Sequence, residues 1–141
     1  MIPAASPRRL ALLCLPALLG AEKLVKKADV LVETFRPGYM ANLGLDYQAL
    51  KKLNPGLVMA SITEFGQDGP YRDWRGSAIV DFALSVAMIG SGPPGRPCNM
   101  PGAPCYDAAS LMAAVSVVVS LYNRGRTGVG HYIDISVHQA A

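Results

Sequence analysis

One carboxylate stands apart in this sequence. Asp107 is the only acidic residue between Phe82 and Ile133, and it lies where a linker rich in proline and glycine, residues 90–104, leads into a long apolar segment. A carboxylate at the start of a helix has two common uses. It caps the helix by accepting a backbone N–H, or it serves as a nucleophile or base in a reaction. Position alone favours the cap, so a chemical role needs support from other parts of the chain.

The composition indicates a folded globular protein with a modest positive charge. Of 141 residues, 51% are hydrophobic and 16% are charged, which excludes a disordered chain and suits a single buried domain. The net charge of +3 would suit an anionic small molecule as ligand. Lysine and arginine do not form a dense cluster, so we predict no binding of nucleic acid.

The cysteines and histidines do not form a pattern that binds metal. Cys14, Cys98 and Cys105 are odd in number, form no C-x-x-C pair and have no histidine nearby in sequence. His131 and His138 lie at opposite ends of a predicted strand. The pattern therefore predicts no disulfide framework and no metal site, and it fits a reducing compartment.

Residues 1–20 have the layout of a targeting sequence. Arg8 and Arg9 precede an apolar run, which Pro16 interrupts. The run is too short to span a bilayer, so we predict no membrane partner. We expect a cytoplasmic location, or a mitochondrial one if this segment acts as a transit peptide.

The remaining chain alternates between strand and helix patterns. Apolar or alternating runs predict strands at residues 29–33, 57–63 and 131–137, and periodic segments predict helices at 46–53, 77–89 and 107–122. The order indicates an α/β fold with mostly parallel strands joined by helical crossovers. The helix at 107–122 is apolar on nearly every face, which predicts burial between layers. No G-x-G-x-x-G follows a strand, so a dinucleotide site is not supported.

Five segments of the chain resemble a known family. They are residues 28–38 (ADVLVETFRPG), 43–47 (LGLDY), 54–58 (NPGLV), 65–71 (FGQDGPY) and 124–134 (RGRTGVGHYID). In this order they are similar to signature segments of the class III CoA-transferase family, the CaiB/BaiF group. The resemblance covers residues 21–141, whereas residues 1–20 do not share it.

The resemblance implies a partial Rossmann-like large domain at residues 21–141. Family members are longer and also have a small domain, and two chains interlock as a homodimer when full length. We therefore expect this chain to be a truncated one that lacks turnover by itself. The resemblance further implies that coenzyme A, as acyl-CoA, and a carboxylic acid are substrates, with no permanently bound cofactor.

The resemblance also assigns candidate site residues. Asp107 matches the family's nucleophile, which attacks the acyl-CoA thioester to form a mixed anhydride and then an aspartyl-CoA thioester. Thr34, Phe35 and Arg75 match positions that contact CoA, although the family usually has asparagine at position 34. Each has an ordinary alternative: Phe35 would be a core aromatic and Arg75 a solvated loop arginine.

Two other functions are open to the chain. In the related α-methylacyl-CoA racemases, a histidine and the later aspartate move the α-proton, and Ser77 stands where that histidine is expected. Serine is not a base at neutral pH, so transfer is favoured over racemisation. The second alternative is an inactive remnant or a binding fragment.

Overall fold

A computed structural model describes residues 20–141; apart from Gly20, the predicted targeting-like segment lies outside the described residues. Within residues 20–141, three strands form one parallel sheet in the order β1-β2-β3: β1 Val30–Glu33, β2 Val58–Thr63 and β3 Tyr132–Ser136. The predicted α/β fold with parallel strands is confirmed. The strand order does not reverse within these residues, so they do not by themselves form the doubly wound sheet of a Rossmann fold.

Helices occupy both crossover connections. Between β1 and β2 lie α1 (Tyr39–Asn42) and α2 (Tyr47–Leu53). The longer connection to β3 contains α3 (Ala78–Leu84), α4 (Ala87–Gly90) and α5 (Pro104–Thr127), and α6 (Val137–Ala140) follows β3. Parallel strands require such crossovers, because a tight turn can join only antiparallel neighbours.

Apolar side chains pack on both faces of the sheet. Alternate residues of a strand point to opposite faces. Leu57 and Met59 therefore contact the cluster around α2, and Ile62 contacts the cluster on the opposite face, beside α5. On β3, Tyr132 and Asp134 are exposed, which matches the prediction of one wet face.

Asn54 fastens α2 to the chain that precedes β1. Its amide nitrogen donates to the carbonyl oxygens of Val25 and Ala28, each at 2.9 Å, and its Oδ1 accepts from the backbone N–H of Gly56 at 3.1 Å. Asp46 occupies the N-cap position of α2, as predicted, although its side chain makes no capping hydrogen bond.

The single helix predicted at 77–89 is wrong. The structure breaks it into α3 and α4, and Val86 between them has a φ of 68°. This left-handed conformation is costly for a β-branched residue and interrupts the helical hydrogen bonds. The local apolar pattern therefore does not determine the backbone conformation at this position.

The predicted bounds and burial of the last long helix are also wrong. α5 begins at Pro104 rather than Asp107 and ends at Thr127, where Gly128 adopts a φ of 74°. Its N-cap is Ala103, so Asp107 lies inside the first turns and is not the cap. Only three of its residues are buried: Cys105, Ala109 and Ala113.

α5 exposes most of its large apolar side chains within the described part of the chain. Its exposed members are Leu111, Met112, Val115, Val118, Val119 and Tyr122. Among the described residues, α5 is the one helix long and apolar enough to cross a bilayer, judged by length and composition alone. Core helices of globular proteins share these properties, so the absence of a membrane partner stays a prediction.

Candidate active site

A cleft of about 660 Å³ opens at the carboxyl edge of the sheet. Its lining includes residues at or just beyond the ends of all three strands: Phe35 after β1, Glu64 after β2 and Val137 after β3. Because the strands are parallel, these ends meet at the same edge, where open α/β sheets bind their ligands. The cleft is therefore the natural candidate for a binding site.

The three predicted CoA contacts lie together in this cleft. Thr34, Phe35 and Arg75 all line it, although more than thirty residues separate Phe35 from Arg75 in the sequence. The backbone N–H of Phe35 donates to the buried Glu33 carboxylate at 2.8 Å, which fixes the turn after β1. Phe35 is 50% exposed, so its alternative role as a core aromatic is wrong.

Sequence reasoning missed three further residues of the cleft wall, Arg36, Arg72 and Trp74. Arg36 follows Phe35 directly, and the other two precede Arg75. Trp74 is 60% exposed and packs on Tyr71, with ring centroids 4.5 Å apart. Three arginines at one cleft favour an anionic ligand, although Asp73 contacts Arg72 at 3.5 Å and partly offsets the charge. Arg36 lies inside the segment 28–38 that resembles the family, and Arg72 directly follows the segment 65–71, so the positions of these segments could have indicated both arginines.

The first turns of α5 form another part of the wall. Tyr106, Ala109 and Ser110 line the cleft, whereas Asp107, the residue after Tyr106, is exposed to solvent and is not among the lining residues. The backbone N–H groups of Tyr106 and Asp107 donate to the carbonyl of Ala103 at 2.9 and 3.1 Å. Asp107 is thus held in regular helical geometry in the turn where the helix dipole favours a negative charge.

Two side chains attach the start of α5 to the rest of the protein. Cys105 is buried, and its Sγ lies 3.8 Å from the carbonyl oxygen of Ala78, to which it donates a weak hydrogen bond. The Tyr106 hydroxyl donates to Glu64 Oε1 at 2.8 Å. Because Asp107 is the next residue, its position depends on these two attachments.

A second carboxyl group lies against Glu64. Asp81 of α3 is completely buried, at 0% exposure, and lies within hydrogen-bonding reach of Glu64. Neither oxygen of Asp81 has a donor among the described residues, and neither has Glu64 Oε2. Two ionised carboxylates cannot satisfy each other, whereas one shared proton supplies the missing hydrogen bond.

The electrostatics of the pair agree with this geometry. The pKa of Asp81 is raised to about 7. Burial is the largest cause, and the hydrogen bond with Glu64 and the negative charge of that residue also contribute. Burial and the Glu64 hydrogen bond raise the pKa of Tyr106 to about 12, so its phenol remains a neutral donor. Burial also raises the pKa of the Cys105 thiol.

Gly76 makes room for the Glu64 side chain. A Cβ atom at position 76 would lie 2.8 Å from Glu64 Cβ and 2.9 Å from its Cγ. Ser77 is exposed at the N-cap position of α3 and is not among the residues that line the cleft. Asp107 does not line the cleft either, so racemisation is disfavoured by the residue type at position 77, since serine is not a base at neutral pH.

The structure describes no grouping of side chains for a metal ion within residues 20–141. His131 Nε2 forms a hydrogen bond of 2.9 Å with the side-chain amide nitrogen of Asn123. His138 packs its ring near Phe65.

A cleft lined by arginines at the carboxyl edge of a parallel sheet is typical of α/β proteins that bind phosphorylated small molecules. The sequence profile of CoA-transferase family III matches residues 19–141, so the chain belongs to that family. Its α/β fold agrees with a solved CaiB/BaiF family protein from Brucella suis, which superposes with a TM-score of 0.86 at 32% identity, over 89% of this chain and 34% of that one.

Curated relatives give the same picture. The chain is 41% identical over 120 residues to the alpha subunit of succinyl-CoA–L-malate CoA-transferase from Chloroflexus aurantiacus, covering 84% of this chain and 28% of the relative. It is 39% identical over 117 residues to acetyl-CoA:oxalate CoA-transferase from Acetobacter aceti, covering 82% of this chain and 30% of the relative. The chain thus spans under a third of the length of these relatives.

Proposed function

We propose that this chain forms part of an enzyme that transfers CoA between carboxylic acids, with Asp107 as its nucleophile. One observation carries the proposal. Thr34, Phe35 and Arg75 converge on a single cleft whose wall includes the first turns of the helix that bears Asp107. The names of the relatives, which describe CoA-transferases, support the same reaction.

The reaction asks for a carboxylate because each step exchanges one acyl bond for another. The Asp107 carboxylate attacks the thioester carbonyl, a C–O bond forms, the C–S bond breaks, and CoA leaves as a thiolate. The thiolate attacks the aspartyl carbonyl of the resulting anhydride, which gives an aspartyl-CoA thioester and frees the donor acid as a carboxylate. The acceptor carboxylate repeats both steps in reverse. No net proton or electron is required, so the chemistry needs no permanently bound cofactor.

The cleft wall offers suitable contacts for acyl-CoA. Arg36, Arg72 and Arg75 can form charge-assisted hydrogen bonds to its phosphates. The exposed rings of Phe35 and Trp74 provide surfaces on which an adenine base can stack. Threonine in place of the family's asparagine at position 34 replaces the side-chain amide by a hydroxyl, which can both donate and accept a hydrogen bond but lacks the amide's separate donor and acceptor groups.

The first prediction concerns the covalent intermediate. The full-length protein that contains this chain is incubated with succinyl-CoA as probe, treated with hydroxylamine and digested. The peptide containing Asp107 is then analysed by mass spectrometry. We expect a hydroxamate on Asp107 in the wild type and none in the Asp107→Asn variant. Asp46→Asn, a change at the N-cap of α2, is the control and should label like the wild type.

Binding and chemistry can be separated in the same experiment. Asp107→Asn should retain CoA binding, whereas Arg75→Gln should weaken it and retain the labelling position at saturating acyl-CoA. Transfer activity that survives Asp107→Ala would overturn the proposed mechanism.

We also propose a homodimer for the full-length protein, from the resemblance to the family, and sedimentation of that protein tests it.

A further inference from the structure

The paired carboxyl groups beside the cleft are not explained by the transfer mechanism. Asp81 lies on α3 with no exposure to solvent and no donor for either oxygen among the described residues. Its neighbour Glu64 follows β2 and lines the cleft. Burial of an unpaired charge is costly, so a fully buried carboxyl group without a cation must obtain a hydrogen bond in another way.

We propose that Glu64 and Asp81 hold one proton between them, and that this shared proton fastens the start of α5 to the end of β2 through Tyr106. In the shared state Asp81 donates to Glu64 Oε2, which otherwise lacks a partner. Glu64 Oε1 accepts from the Tyr106 hydroxyl at 2.8 Å. The chain of contacts from Asp81 to Tyr106 ends one residue before Asp107.

No positively charged side chain forms a salt bridge with Glu64 or Asp81 among the described residues, so a proton is the remaining positive charge that can stabilise the pair. From α5 the neighbours are Tyr106 and Cys105, both neutral. His138 of α6 donates its backbone N–H to the Glu64 carbonyl at 3.0 Å, its ring packs near Phe65, and its buried Nδ1 has no hydrogen-bond partner among the described residues. The charged side chains on the cleft wall are Arg36, Arg72, Asp73 and Arg75. None of these four forms a salt bridge with Glu64 or Asp81 among the described residues.

Opening the first turn of α5 would expose Asp81 to water, where it would lose the proton. Opening and proton release are therefore coupled, and the attachment of the first turn of α5 to the end of β2 weakens as the pH rises. Glu64, Asp81 and Tyr106 act as positioning residues in this scheme. The effect of this attachment on catalysis rests on the proposed role of Asp107. The sharing of the proton does not depend on that role.

The test follows two signals in the full chain between pH 4.5 and 8.5, and neither needs CoA. Carbon-13 NMR follows the Asp81 carboxyl group, assigned by its loss in Asp81→Asn. Amide hydrogen exchange, corrected for the intrinsic effect of pH, follows the N–H of Asp107. We expect protection of this amide to fall by up to about tenfold per pH unit until Asp81 titrates near neutral pH, and then to level off.

Two variants separate a shared proton from ordinary packing. In Asp81→Asn the amide donates to Glu64 without titrating, so protection at Asp107 should be independent of pH. In Tyr106→Phe the Asp81 carboxyl should still titrate near neutral pH, but protection at Asp107 should no longer follow it. A purely structural role would lower protection equally at every pH.

Three results would each overturn the inference: titration of the Asp81 carboxyl in the ordinary acidic range, protection at Asp107 that ignores pH in the wild type, or an unchanged slope in Asp81→Asn. If Asp81→Asn does not fold, the wild type and Tyr106→Phe decide by the same criteria. A full-length protein inactive in CoA transfer would contradict the proposed function and leave this inference standing.

Discussion

At the scale of single residues, the carboxyl groups around the cleft differ sharply in environment. Asp107 is exposed to solvent in the first turns of α5, whereas Asp81 is fully buried next to Glu64. An exposed carboxylate is available to attack a substrate, and a buried one is suited to hold a proton. Environment therefore assigns different tasks to groups of the same chemistry.

The raised pKa of Asp81 makes stability depend on pH. A carboxyl group whose pKa is higher in the folded protein costs no stability below its unfolded value, near 4, and its full cost is reached above the folded value. The rise from 3.8 to about 7 corresponds to a loss on the order of 4 kcal/mol over that interval. Urea unfolding at a series of pH values measures it.

Asp81→Asn should remove this pH dependence. We expect it to match the wild type near pH 4 and to be more stable by a few kcal/mol at pH 8. Asp68→Asn, at an exposed loop position, is the control and should leave the wild-type profile intact. Parallel profiles for wild type and Asp81→Asn would contradict the assigned pKa of Asp81.

At the scale of elements, the strands follow directly from the sequence and the helices only in part. Val58, Met59 and Ala60 of β2 are buried although their side chains alternate between the two faces of the sheet, so their continuous apolar run predicts a buried strand. The break at Val86 could not be predicted, because a local apolar pattern does not specify the φ of a single residue. The start of α5 was misplaced because Pro104 was assigned to the linker, although proline is common at the first helical position.

The candidate site was predictable to a similar extent. Asp107 stands alone in an apolar context, and the resemblance to the family located Thr34, Phe35 and Arg75. The pair of Glu64 and Asp81 was missed, since it forms only when α3 packs beside the end of β2. An acidic residue inside the apolar segment 78–84 was the visible signal, because such a residue is rarely buried without a partner.

Asn54 should be among the most important polar side chains for the packing of α2. Replacement by alanine removes three hydrogen bonds and leaves the carbonyls of Val25 and Ala28 without these donors. At about 1 kcal/mol per bond, we expect a loss of roughly 2–3 kcal/mol in the free energy of unfolding, measured in urea. Asn42→Ala, at the exposed end of α1, is the control and should cost under about 1 kcal/mol. Equal effects of the two changes would refute the anchoring role.

At the scale of the whole molecule, α5 is poorly covered. Six of its large apolar side chains are exposed, and the chain spans under a third of its curated relatives. We expect that this surface is covered when the full-length protein is assembled.

The 141-residue chain should therefore bind a hydrophobic dye and associate in solution. Val115→Lys combined with Val118→Glu should reduce both dye fluorescence and the apparent mass in light scattering, because the changes place charges on the exposed face. Gln48→Lys, on the surface of α2, is the control and should change neither. A wild-type chain that is monomeric and does not bind dye would show that α5 is covered in solution.

The attachments of Cys105 and Tyr106 also determine where the chain can change in length. The linker at residues 91–103 is largely exposed, and doubling a loop of this kind costs only about 0.6 kcal/mol in closure entropy. One residue inserted between Tyr106 and Asp107 would instead rotate the carboxylate by about 100° around the helix axis. Insertions and deletions are therefore tolerable up to Ala103, and beyond it the spacing from Cys105 to Asp107 is fixed by geometry.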